Sequence, residues 1–367
     1  MLSAVGLITT NYSVKEPSAL TRVRPAASLP IMGRYRLVDF PLSNMVNCGI
    51  RTVGVILPFN YRSIVDHLHT GKDWSLDRKN GGLFMLPGSA FGTSRKGPRF
   101  LLRDILANRM FLERDHADNV VVSAAGVIYN YDYGELIRAH VESGADITLL
   151  TKTYHCEADD LSSVYTEGGC VRGFTYGCRY GEEAFLDCFV IGRRRLLDII
   201  GRYANVDYLD LFEALEGDLG QVDIRAHRID DVYTGTVFTP GMYYRRSMEL
   251  LDPKTIDDLF PAGRPIKTKS HDNPPTKYAT GARVSNSLIS GGCRIAGSVT
   301  NSVLSRWVTV EPGATVRNAV ILQQCVIQRG ARVENAIIDR DNVISAGVEL
   351  RGTPEDVLVK EKGRLDE

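Results

Sequence analysis

The sequence predicts an open, doubly wound α/β domain over residues 1–250, joined by a linker at 251–279 to a left-handed parallel β-helix over 280–352. Three observations carry that prediction. Short β-rich runs alternate with amphipathic stretches through the first part of the chain. Six prolines (Pro240, Pro253, Pro261, Pro265, Pro274, Pro275) then gather where periodicity fades. Beyond them a tetrad, Asn-Ser/Ala-aliphatic-aliphatic, recurs at Asn286, Asn301, Asn318 and Asn335.

In the α/β part, residues 1–10 have an apolar run without the basic start or cleavage site of a leader, so they are expected as the first buried strand. Residues 52–58 (TVGVILP) and 119–124 (NVVVSA) predict buried strands of a parallel sheet. Residues 103–114 place Ile105, Leu106, Met110 and Leu112 mostly on one side of a helix. A further helix over 133–143, stopped by Gly144, precedes a strand at 146–151. In the repetitive part, aliphatics recur at every sixth position: Val310 and Val316; Ile321, Ile327 and Val333; Ile337 and Val343. Gly291, Gly297, Gly313 and Gly330 fall near the expected corners. Three short strands per coil would stack those side chains inside a triangular prism. A β-sandwich would need a period of two, which is weak here. Residues 353–367 are expected to be a tail.

The bulk composition excludes several function classes. Basic and acidic side chains number 44 each, which gives no electrostatic case for nucleic acid or an anionic membrane as partner. No stretch is apolar for long enough to span a bilayer. The seven cysteines are scattered without a C-x-x-C pair, which suits reduced thiols in a cytoplasm rather than a zinc site or disulfide framework. His67 and His69 lack a well-spaced third ligand and are expected on a surface helix or loop. Arg193, Arg194 and Arg195 open a helix-like segment and are expected as a solvated turn.

Residues 34–50 (RYRLVDFPLSNMVNCGI), 52–57, 73–82 (DWSLDRKNGG) and 85–87 (MLP) closely resemble the sugar-nucleotide pyrophosphorylases, and within them the ADP-glucose-forming branch. The resemblance implies a Rossmann-like, GT-A-like nucleotidyltransferase domain ahead of the β-helix. That family joins glucose 1-phosphate to ATP and releases pyrophosphate. The chemistry needs glycine amides and a basic group at the triphosphate, carboxylates to hold Mg²⁺, and a clamp on the sugar phosphate.

Position by position, those needs go unmet. The family's phosphate loop, A-G-G-x-G-x-R-L, falls on residues 10–17 (TNYSVKEP), where Asn11, Tyr12 and Val14 replace the glycines. A Cβ at such positions blocks close phosphate approach. Glu16 stands in the place of the loop arginine, a charge reversal that repels a triphosphate. The lysine of R-A-K-P becomes Ala26. Gly126 falls where the first metal carboxylate belongs, and Thr236 where the second does. The sugar-phosphate motif F-x-E-K-P has no counterpart between Val164 and Asp187, and G-T-A becomes Phe100-Leu101-Leu102.

All these losses fall on the active site while the scaffold motifs persist. The pattern resembles the D-type (GlgD-type) companion of the catalytic ADP-glucose pyrophosphorylase subunit. That resemblance implies an inactive isolated chain and no bound metal or cofactor. It also implies self-association when alone, and a hetero-oligomer, expected as a hetero-tetramer, with the catalytic subunit. In catalytic relatives the region matching Arg22, Arg24, Arg34 and Arg36 lies near a site for phosphorylated sugar effectors, so these four form a candidate anion site. The alternative is a subunit or scaffold salt-bridge cluster. Asp39 is expected to brace the fold with Arg34 and Arg36. Other readings are a stand-alone sugar-phosphate sensor and a weakly active transferase with ligands drawn from Asp39, Asp230 or Asp231. A β-helix acyltransferase would need a coil histidine as base, and residues 280–352 contain none.

Overall fold

The computed structural model describes residues 3–10, 19–89, 99–155, 158–205, 210–216, 219 and 221–363. Nine strands build the main sheet: β1 (Ala4–Thr9), β2 (Thr52–Leu57), β3 (Gly82–Pro87), β4 (Asn119–Ala124), β5 (Ile147–Thr153), β6 (Ala158–Glu167), β7 (Cys170–Cys178), β8 (Glu183–Gly192) and β9 (Ile224–Arg228). Their spatial order is β3-β2-β1-β4-β8-β5-β9-β7-β6. The first four run parallel, with Val5 opposite Val120 and Leu7 opposite Val122 and Gly54. Such strands are covered by helices on both faces, which is why their sequences are continuously apolar. The chain order reverses between β1 and β4, so a crevice opens at their carboxyl ends, the place where open α/β sheets bind ligands. Strand β8 runs antiparallel to both β4 and β5, which makes the sheet mixed rather than wholly parallel.

Three local expectations are corrected. The helix expected over 103–114 is two short helices, Leu102–Ala107 and Arg109–Arg114. Asn108 breaks them apart: its side-chain amide donates to the carbonyls of Pro87 and Asp104, both at 2.8 Å, and so competes with the helical ladder. Met110 consequently points to solvent. The segment 251–279 contains the helix Pro253–Leu259, and its neighbour Pro240–Glu249 also begins at a proline. Proline at the first helical position sacrifices no bond, so those residues start helices under the caps Thr239 and Asp252. Beyond 352, strand Leu358–Lys360 pairs with Ala336–Ile338, and the solenoid runs on into the expected tail.

The solenoid is a parallel β-helix with three faces. Ile295, Val310, Ile327 and Ile344 stack on one face, and Val299, Val316 and Val333 on the second. Val343, expected inside, is 56% exposed, and its neighbour Ile344 at 2% takes the inward place. The third face explains why the tetrad has two aliphatics. Leu304, Ile321 and Ile338 point into the prism, while Val303, Val320 and Ile337, the last expected inside, point out and pack on Leu20, Ile31, Tyr243 and Tyr244 of the first domain. One face is therefore buried on both sides, and it welds the solenoid to the α/β body. The tetrad asparagines turn a corner with φ between +41° and +47°, a left-handed conformation that asparagine tolerates. Each side-chain amide donates to the next Oδ1, from Asn286 through Asn301 and Asn318 to Asn335, at 2.8, 2.8 and 3.1 Å.

Candidate functional site: a plugged crevice and a basic cleft

Two regions collect the residues singled out by the sequence. The first is the crevice at the carboxyl edge of the sheet. Asn11, Tyr12, Val14 and Glu16 lie outside the described residues. Ala26 is buried in a 3₁₀ turn, Ala26–Ser28, behind the basic segment. Gly126 follows β4, and a two-stranded ribbon pairs Val127 with Thr236 and Ile128 with Gly235. The Val237 amide donates to the Gly126 carbonyl at 3.1 Å. The two positions where metal carboxylates are expected are thus side by side.

These residues do not fit a magnesium ion. Gly126 offers no ligand, and the Thr236 hydroxyl is turned toward the Met242 sulfur at 3.8 Å. Phe238 closes the space: a Cβ on Gly126 would stand 2.4 Å from its Cε1. Over the Phe238 ring, 4.5 Å from its centroid, lies the buried guanidinium of Arg99. Arg99 Nε meets Asp187 Oδ2 at 3.2 Å, and its Nη2 donates to the Asp160 carbonyl at 3.1 Å. Burial pushes the Asp187 carboxyl up to about 6, against the pull of Arg99. Asp187 also holds a positive φ of 51°, an uncommon backbone for any residue with a side chain. An aromatic ring and a tethered cation therefore occupy the edge where the resemblance implies metal and phosphates. Among the described residues no three His, Cys, Asp or Glu side chains come together as a metal cage.

The second region is a basic cleft between domain and solenoid, with a volume of about 40 Å³. The four candidate arginines divide their work. Arg22 pairs with Glu361 at 2.6 Å on the surface, and Arg24 is buried against Asp339 at 2.5 Å, so both clasp the last coils of the solenoid. Arg34 and Arg36, with Arg24 beside them, line the cleft with Arg306 and Arg340 from the solenoid. Arg36 donates to the Ser63 carbonyl at 2.6 Å. Burial lowers its pKa to about 10; nearby Asp39 opposes the shift, and Arg24, Arg306 and Arg340 add to it. His271, on the same wall, is lowered to about 4, first by desolvation and then by the field of Arg306 and Lys269. Cations that disfavour one another's charge give the cleft a positive field.

The remaining singled-out residues are scaffold. Asp39 is wholly buried, accepts from the Arg36 amide at 2.9 Å and meets His67 Nε2 at 2.6 Å. His67, expected on the surface, is therefore buried, whereas His69 contacts Lys269, so the two histidines diverge. Asp230 accepts from the Thr153 amide at 2.9 Å. Arg193 and Arg195, expected in a solvated turn, are anchored: Arg193 donates to the Ala117 and Leu112 carbonyls, and Arg195 pairs with Asp146.

Sequence reasoning missed Arg99, Phe238, Arg306, Arg340 and His271. Arg306 and Arg340 did carry a signal. The register aligns Leu304, Ile321 and Ile338, so the arginines two residues on share one solenoid corner.

A nucleotidyltransferase-type body carrying a hexapeptide solenoid is the class that this fold and crevice define. Residues 18–160 match the nucleotidyl transferase family, and residues 274–356 match the GlmU-like C-terminal hexapeptide family. The glycogen biosynthesis protein GlgD of Bacillus subtilis is 33% identical over 99% of this chain and 96% of its own length. GlgD of Geobacillus stearothermophilus is 32% identical over 85% of this chain and 82% of its own. A glucose-1-phosphate adenylyltransferase of Thermotoga neapolitana is 28% identical over 86% of this chain and 77% of its own. The chain belongs to the GlgD family. No helix among its described residues is long and apolar enough to cross a membrane.

Proposed function

We propose that this chain is a regulatory, catalytically silent subunit of a cytoplasmic glucose-1-phosphate adenylyltransferase serving glycogen synthesis. The observation that carries this reading is the Phe238 ring packed against Gly126 under the Arg99 guanidinium. In that arrangement the in-line displacement lacks its metal carboxylates, and each 1.36 kcal/mol of lost transition-state stabilisation is about tenfold in rate. The kinship with GlgD proteins and with adenylyltransferases supports the pathway assignment.

A silent subunit changes its partner only by binding one of the partner's states better than another. The basic cleft is the proposed effector site, and at about 40 Å³ it takes the phosphate group of a phosphorylated sugar rather than the whole molecule. It lies where the first domain meets the solenoid, so an anion drawn between Arg34, Arg36, Arg306 and Arg340 would alter that junction. Assembly is proposed through the open first coil of the solenoid, where strands Lys277–Tyr278, Arg283–Ser285 and Leu288–Ile289 each keep one edge unpaired among the described residues. The proposed assemblies are a homo-oligomer alone and a hetero-tetramer with the catalytic subunit. The test is co-expression with the catalytic subunit, sizing of the complex, and kinetics with and without this chain. Co-elution with a changed kcat or effector response is the expected result. Turnover by this chain alone at the rate of an ordinary transferase, or failure to associate, rejects the reading.

A further inference from the structure

Beside the Phe238 plug, at the same carboxyl edge of the sheet, lies a cavity of about 230 Å³. The Phe212 ring is its hub, with centroids of Phe100, Phe174 and Phe185 at 5.8, 5.2 and 5.1 Å. Tyr176, half-exposed on β7, stands at the rim. Among the described residues the charged lining is lopsided: Asp187, Asp210, Glu213 and Glu216 face one cation, Arg99. That cation is already engaged by Asp187, and Asp210 accepts the amides of Arg99, Phe100 and Phe212 at 2.8 to 2.9 Å.

This lining disfavours phosphates, since each phosphate charge would meet several carboxylates and, among the described residues, a guanidinium already engaged by Asp187. It matches the opposite charge. The chain shows the matching chemistry in the Arg99 side chain itself, which lies over the Phe238 ring with its Nε at a buried carboxylate. Ring faces and carboxylates recur together in the cavity next to it. We propose that this cavity binds a small guanidinium or alkylammonium cation, with the aromatic rings holding its stem and the rim carboxylates its head. Such a group could belong to a free amine or guanidino compound, or to an Arg or Lys side chain of a partner chain. The assignment rests on the cavity alone and is independent of any catalytic partner.

The experiment uses the full chain and two probes, agmatine and the capped tripeptide acetyl-Gly-Arg-Gly-amide, followed by saturation-transfer NMR and calorimetry. A double variant, Tyr176→Ala with Glu216→Gln, alters only rim side chains, and its thermal melt checks that the fold is kept. Saturable binding is expected, weakened roughly fivefold or more in the variant. Glucose 1-phosphate should not displace the probe. Tighter binding of the tripeptide assigns the site to a protein side chain, and tighter binding of agmatine assigns it to a small molecule. Absence of saturable binding by either probe, equal binding by a folded variant, or displacement by glucose 1-phosphate overturns the proposal.

Discussion

Arg24 and Asp339 are separated by 315 residues, yet Nη2 and Oδ2 meet at 2.5 Å with side chains only 7% and 0% exposed. The pair locks the basic segment onto the solenoid, and Tyr243 beside it donates to the Pro30 carbonyl at 2.6 Å. Removing one member leaves a buried charge without compensation, which typically costs about 3–5 kcal/mol. Arg24→Ala is therefore expected to lower stability by that order in chemical denaturation. Arg34→Ala, at the cleft, is expected to stay within about 0.5 kcal/mol of wild type. The sequence alone suggests that both arginines belong to one anion site, removable together without harm to the fold. Arg24 does line the cleft, but its buried pair with Asp339 means that removing it is expected to harm the fold.

The same physics bears on the crevice. Gly126→Asp restores one carboxylate in sequence but drives its Cβ into the Phe238 ring. Overpacking of this kind costs about 1–3 kcal/mol. The expected outcome is a lower denaturation midpoint, partly recovered by adding Phe238→Ala. Adenylyltransferase turnover should stay at background in both variants, because residues that act as a unit cannot be restored singly. Turnover well above background in either variant would contradict the plug.

The asparagine ladder offers a stability test remote from either site. Asn318 sits at φ +47° and hydrogen-bonds through its side chain to Asn301 and Asn335. Asn318→Ala loses both bonds and keeps a Cβ in the left-handed region, at an expected cost of about 2 kcal/mol. Asn318→Gly relieves the backbone term and should cost less. If the two variants melt alike, the corner is held by something other than backbone conformation.

The cleft has a proton signature. His271 is depressed to about 4 by desolvation and by neighbouring cations. A depressed histidine contributes stability that is present above its unfolded value near 6.5 and is lost as pH falls toward 4. An anion seated among Arg34, Arg36 and Arg306 would cancel part of that field and raise the histidine. Sulfate, whose charge is constant across this window, is expected to bind more tightly as pH falls from about 6.5 to 4, with proton uptake. Calorimetry in buffers of different ionisation enthalpy measures that uptake, and His271→Asn should abolish it. Sulfate binding without proton uptake in the wild type would place the anion elsewhere.

The repeated tetrad, the strands at 52–58 and 119–124 and the lack of a side-chain carboxylate at positions 126 and 236 were all legible in sequence, because each depends on local spacing or on residue type alone. Side-chain period follows backbone geometry, and a glycine cannot ligate a metal in any fold. Position in space is a different kind of information. Whether Pro253 ends a domain or starts a helix, and whether Arg24 meets a ligand or Asp339, depends on partners hundreds of residues away. The same holds for the plug: Phe238 is one more aromatic in the sequence, and Arg99 one more arginine. Only the ribbon pairing Val127 with Thr236 brings Phe238 onto Gly126. Asp187 on β8 and the Asp160 carbonyl together hold Arg99 above that ring. That Gly126 and Thr236 carry no carboxylate was written in the one-dimensional chain; what packs around them was decided by long-range packing, which sequence spacing does not encode.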